Sequence, residues 1–216
     1  MTTTVAQQTS QTASPKSMSP QQIRKGRRMA LLLMAVGFGP IILASAMFYG
    51  GWLNPAEHTN NGALVTPLVP LSNLQLQTAQ GAPLAARFGP TQTSATWLLL
   101  VVAGNCTEVC QQLLYTTRQT NIALGKYATR VSRGAALTSL PPALDQRWAA
   151  DFERMERFTP LPAQTPVWPP GVEPSQAPQL LLVDPLGNIM MRYPAGIPGG
   201  DVLDDLKHLL KISRIG

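Results

Sequence analysis

Between Met29 and Leu53 the chain carries 25 residues without a single charge, among them Leu31-Leu32-Leu33-Met34 and Ile41-Ile42-Leu43. At about 1.5 Å of rise per residue, a helix of that length crosses the hydrocarbon core of a bilayer even with Pro40 kinking it. Tyr49 and Trp52 stand near its end, where aromatic rings favour the membrane interface. Lys16, Arg24, Lys25, Arg27 and Arg28 precede it, and the first acidic residue is Glu57. That bias predicts a cytoplasmic N-terminus with the rest of the chain across the membrane. Two other fates are compatible with the same residues. Ala44-Ser45-Ala46 after Arg27-Arg28 has the form of a signal-peptide cleavage site, and the acid-free, Ser/Thr/Gln-rich start has the form of a transit peptide. The uncharged continuation to Leu53 favours an uncleaved anchor. The bare cationic tail favours a bacterial inner membrane, with the C-terminal domain in the periplasm.

The formal charge of +6 is a property of the tail. Five of the seventeen cations lie before Met29, and beyond Leu53 twelve basic residues face eleven acidic ones. Nucleic-acid binding needs a concentrated basic surface on the folded part, so no nucleic-acid partner is expected.

Residues 1–28 are predicted to be a disordered cytoplasmic tail, 29–53 the transmembrane helix and 54–70 a linker rich in Pro, Asn and Gly. Residues 71–216 make one domain, large enough for a single core. Within it Leu74 to Gln77 alternates like a strand. Trp97 to Val102 is a continuous apolar run that suits a central strand buried on both faces. A helix should follow from an Asn105 N-cap with Glu108 completing a capping box, and end at Gly125. Arg130 to Leu137 is a weak strand interrupted by Gly134. Leu144, Trp148, Phe152 and Met155 give 144–157 a helical period, with Arg147, Arg154 and Arg157 interleaved among acidic residues. The proline-rich segment 159–178 is irregular. Leu180 to Val183 and Ile189 to Tyr193 form a hairpin around Asp184-Pro185-Leu186-Gly187-Asn188. Asp201 to Ile212 closes the chain as an amphipathic helix. Strand, strand–loop–helix, strand, helix, hairpin, helix is the order of an α/β thioredoxin-like sandwich, here with an N-terminal single transmembrane helix.

The only two cysteines stand at Cys106 and Cys110, where the central strand meets its helix. Thiols at i and i+4 share a helix face with Cα atoms about 6 Å apart, inside the window of about 4.4–6.8 Å for a disulfide. The same pair can close on a soft metal such as Cu(I). At the first helical position, Cys106 would have its thiolate favoured by the helix dipole, with Glu108 opposing. A passive bridge over so short a loop would stabilise only modestly, which favours redox or metal chemistry. Pro178, just before the Leu180 strand, is placed where a cis-proline packs beside the cysteines of thioredoxin folds.

These features together resemble the SCO/SenC copper proteins of cytochrome c oxidase assembly. The resemblance spans residues 71–216 plus the anchor, and includes Cys106, Val109, Cys110 and the Leu182-Val183-Asp184-Pro185-x-Gly187 hairpin. It implies an assembly factor whose partners are an oxidase subunit or other assembly factors, and which delivers copper to a dicysteine site or keeps that site reduced. The chain departs from the family at Thr107 and Gln111, where prolines follow the cysteines, and near Gln176, where the copper-ligating histidine falls. Other soft donors are His58, His208, Met190 and Met191.

No Ser/His/Asp set, phosphate-binding glycine loop or four-ligand zinc pattern occurs. The expectation is thiol–disulfide exchange or Cu(I) relay through Cys106 and Cys110, with Cys106 the more exposed, attacking thiol and Cys110 resolving. The rival readings are a general thiol–disulfide oxidoreductase and a non-catalytic anchored binding module with a structural disulfide.

Overall fold

The computed structural model describes residues 20–50, 60–162, 164–213 and 215. Tail residues 1–19, Trp52, His58 and the first part of the expected linker lie outside the described residues. The chain divides into two units, Met1–Glu57 and His58–Gly216. In the first, helix α1 runs Pro20–Tyr49 through Pro40, with its apolar side chains exposed. Within it Ile23–Tyr49 is long and apolar enough to cross a membrane. The helix thus includes residues 20–28, which composition assigned to the disordered tail. An apolar run extends readily into the good helix formers Gln, Arg and Lys before it.

The second unit is built on a seven-stranded mixed sheet. Its strands are β1 (Ala63–Pro70), β2 (Leu76–Gln77), β3 (Trp97–Asn105), β4 (Val131–Ser139), β5 (Met155–Pro160), β6 (Gln179–Val183) and β7 (Asn188–Pro194). Their order is β1-β7-β6-β3-β4-β5-β2, with β3, β4 and β5 parallel and the remaining pairs antiparallel. Helices α2 (Glu108–Ala123), α3 (Pro142–Asp151) and α4 (Gly199–Ile212) complete it.

The unbroken apolar run of β3 follows from burial on both faces. Leu99, Val101 and Ala103 join Leu113 and Leu114 of α2, Trp148 of α3 and Leu206 of α4 in one cluster. Leu98, Leu100 and Val102 face the other way, into a cluster with Leu74, Leu84, Phe158 and Val172, so short 3-10 turns and loops rather than α-helices cover that side.

Two expectations fail here. The linker does not extend to Pro70: Ala63–Pro70 is β1, paired with β7 and burying Val65. Its prolines are tolerated because β1 is an edge strand, bulged between Leu64 and Val69. Nor is 144–157 one helix. The chain leaves α3 at Phe152, Met155 N–H turns back to the Phe152 carbonyl, and Met155 begins β5 alongside β4. The charges read as one helix face serve separate partners. Arg147 pairs with Asp151 at 3.5 Å along α3, while Arg157 reaches Asp145 and Arg87 reaches Glu156.

At the entry to the domain, the Asp205 carboxylate on α4 is 3% exposed. It accepts from the Asn61 N–H at 2.9 Å, the Gly62 N–H at 2.9 Å and the Tyr193 hydroxyl at 3.0 Å. A Cβ on Gly62 would fall into the Tyr193 ring.

Candidate functional site

β3 ends at Asn105, and α2 starts three residues later. Asn105 pairs with Ser139 as the last rung of β4, so it is strand rather than N-cap, and no capping box forms. The N-cap is Thr107, in extended backbone, and no side chain caps the first turn of α2. Cys106 therefore lies in the connection, its N–H held by the Ser139 carbonyl at 3.2 Å, while Cys110 is the third helical residue. The two sulfurs form a disulfide, with Cα atoms 5.0 Å apart. This is the carboxyl end of the central strand, where open α/β sheets place their sites.

Burial differs from expectation. Cys106 is 1% and Cys110 0% exposed, so neither presents the outer thiol. Thr107, Glu108 and Val109 arch over the pair and are exposed, while the sulfurs belong to the apolar cluster beneath. If the bond is reduced, the uncapped N–H groups of α2 and its dipole favour thiolate on Cys110, inside the first turn. Glu108 is the nearest acidic residue in sequence and opposes it.

A second segment completes the site. The Gly104 N–H donates to the Pro174 carbonyl at 2.6 Å, and a Cβ on Gly104 would stand 3.2 Å from that oxygen. The loop 173–177 is thus seated on the residue two before Cys106. The sequence signal was a glycine inside an otherwise apolar strand, which marks close backbone approach. Pro178 follows this loop into β6, but its peptide bond is trans; the only cis bond among the described residues is Thr66–Pro67. The 173–177 turn, with Gln176 and Ala177 N–H groups on the Glu173 carbonyl, delivers the chain to β6 with the ordinary trans isomer.

The donor set for a metal can be read from the same contacts. Cu(I) takes thiolate, thioether or imidazole. The loop on Gly104 carries an exposed glutamine, Gln176. Met191 pairs with Leu182 and Leu182 with Leu99, seven residues before Cys106, which places Met191 about 23 Å away along the strands. Its sulfur instead lies 3.4 Å from the Tyr193 hydroxyl oxygen. Met190 beside it is half-buried, and His208 is exposed on α4. No group of three His, Cys, Asp or Glu comes together among the described residues. What the site offers is two thiols bonded to each other, and this set does not fit a three-coordinate Cu(I) centre.

A disulfide at the junction of a central strand and the helix after it, with a proline-flanked loop beside it, defines a thioredoxin-like domain. The chain belongs to the transmembrane-like, thioredoxin-like family. The model of that family's C-terminal domain matches residues 97–213, and the model of the transmembrane-like N-terminal domain matches residues 20–51. No curated protein sequence matches the chain. Solved structures similar to it include apo Sco1 of Thermus thermophilus, with 17% identity, TM-score 0.45 and coverage of 71% of this chain and 99% of that one. Yeast Sco1 with copper bound has 15% identity and TM-score 0.44, covering 71% and 90%. A thiol peroxidase from Chromobacterium violaceum has 14% identity and TM-score 0.41, covering 71% and 88%.

Proposed function

We propose that this protein is a membrane-tethered thiol-redox factor working through Cys106 and Cys110. The observation that carries this is that the chain's two cysteines form one disulfide at the carboxyl end of the central strand, against the uncapped start of α2. The bridge closes a loop of only about five residues and adds about 2 kcal/mol by the chain-entropy relation, little for a purely structural staple. In exchange, a partner thiolate attacks the Cys106 sulfur, forming an intermolecular disulfide and releasing Cys110 thiolate at the helix start. A second partner thiol, once deprotonated, attacks the mixed disulfide and releases Cys106. Two electrons and two protons have then passed from the partner dithiol to the Cys106/Cys110 pair, and the reverse sequence runs the other way.

The narrower reading is assistance to cytochrome c oxidase assembly, with the N-terminus cytoplasmic and the domain on the far side of a bacterial inner membrane. The cations clustered before the apolar span support the orientation. The family resemblance supports the oxidase. Trapping tests it: Cys110→Ser in the full chain should accumulate a reducible covalent adduct through Cys106, identified by mass spectrometry. An oxidase subunit as partner supports assembly, and assorted disulfide substrates support a general oxidoreductase. No adduct, together with full function of the Cys106→Ser/Cys110→Ser variant in cells, leaves a binding module with an inert bridge. Copper relay is tested on the reduced full chain by Cu(I) competition titration. With only two donors, binding is expected to be no tighter than that of an unstructured dithiol peptide.

A further inference from the structure

Arg133 occupies a position where β4 should carry an apolar residue. It lies between Val131 and Ala135 on the face covered by α2 and is 7% exposed. Its guanidinium makes no hydrogen bond or ion pair among the described residues, and the Nη1 atom is fully buried. Arginine does not shed its proton to escape such a position, so the site holds a charge with no protein partner among the described residues.

Two adjoining cavities, of about 290 and 230 Å³, meet at this residue. Arg154 lines both, Arg118 of α2 lines the larger, and neither is in an ion pair or hydrogen bond among the described residues. Burial first, then the charges of Arg118 and Arg154, press the Arg133 guanidinium below its ordinary proton affinity. The one carboxylate on the cavity wall, Glu153, is exposed and within ion-pair distance of none of the three. Three guanidinium groups against one carboxylate leave two net positive charges around the two cavities.

We propose that Arg118, Arg133 and Arg154 form a binding site for a phosphate group. A phosphate monoester near pH 7 carries nearly two negative charges and three strong acceptor oxygens, matching both the charge and the number of forks. A carboxylate would neutralise one cation and offer two oxygens. The site stands about 20 Å along β4 from the Ser139 rung that holds Cys106, so it is distinct from the disulfide.

The test is thermal unfolding of the full chain in maltoside micelles, titrated with inorganic phosphate against chloride at matched ionic strength. Stabilisation by phosphate should saturate, and half-saturation should weaken about tenfold or more in Arg133→Gln. The double variant Arg118→Gln/Arg154→Gln, changed at the cavity rim, should show the same weakening and decides the matter if Arg133→Gln does not fold. Equal stabilisation of parent and variants, or no saturation below about 10 mM, overturns the site. Repeating the titration in phosphatidylcholine nanodiscs with and without phosphatidic acid separates the sources. Competition from the lipid supports a headgroup as the natural ligand, and an unchanged midpoint supports a soluble phosphate.

Discussion

Asp205 and Tyr193 show how much a single pair of side chains can decide. The carboxylate gathers donors from the segment entering the domain and from β7, and the phenol is 0% exposed. Burial, then the Asp205 charge and the hydrogen bond to it, hold the Tyr193 hydroxyl well above its ordinary value of 10.0. The folded state therefore keeps a proton that the unfolded chain loses. Its contribution is complete below about pH 10 and is lost above that at about 1.4 kcal/mol per pH unit. Tyr193→Phe should cost about 1–2 kcal/mol at neutral pH and flatten the alkaline fall in stability by one proton. Urea titrations from pH 8 to 11 check this, and parallel curves for parent and variant would refute it. Asp205 stands three residues after Val202 and Arg133 two after Val131, a spacing that marks both as inward charges although the sequence reading singled out neither. Nothing in the sequence told which donors or cavity they would meet, because those partners lie on other elements, 144 and 143 residues away for the Asn61 and Gly62 donors to Asp205.

At the scale of elements, legibility followed the strength of local pattern. β3, the β6–β7 hairpin, α4 and the Gly125 end of α2 all carry signals within their own residues, and all form as expected. The failures have another origin. Phe152 and Met155 fit a helical period, yet β4 offers Met155 a free parallel edge, and tertiary pairing overrides the period. Gly134 looked like an interruption of a strand, but it is a fit: a Cβ there would strike the Phe158 ring of β5. Gly134→Ala should therefore destabilise by about 1–3 kcal/mol through overpacking, and adding Phe158→Leu should recover part of the loss, as read by denaturant midpoints. The spacing singled out the cysteine pair but left it open between a disulfide and a Cu(I) site, and it put on one helix face two residues of which only Cys110 is helical. The burial of the sulfurs was not legible, since it comes from a cluster gathered from the sheet, α2, α3 and α4.

For the molecule as a whole, residues 60–70 of the segment that sequence assigned to a slack linker belong to the fold. β1 covers the β7 edge, and Asn61 and Gly62 satisfy Asp205. A truncated chain beginning at His58 should remain cooperative. One beginning at Leu71 should lose about 5 kcal/mol or more, because it leaves an edge open and a buried carboxylate short of donors. Urea unfolding of the two truncations measures the difference. The roofed disulfide has a consequence for selectivity. A thiol can reach either sulfur only in the fraction of molecules whose 107–109 arch is lifted, and the observed rate is that fraction times the intrinsic rate. Stray small thiols, which gain nothing from lifting it, meet a nearly inert couple. A partner whose docking favours the lifted arch by about 3 kcal/mol reacts about 150-fold faster. If the pair exchanges as proposed, its partner is selected by which surface can open the site, and thiol reactivity comes second.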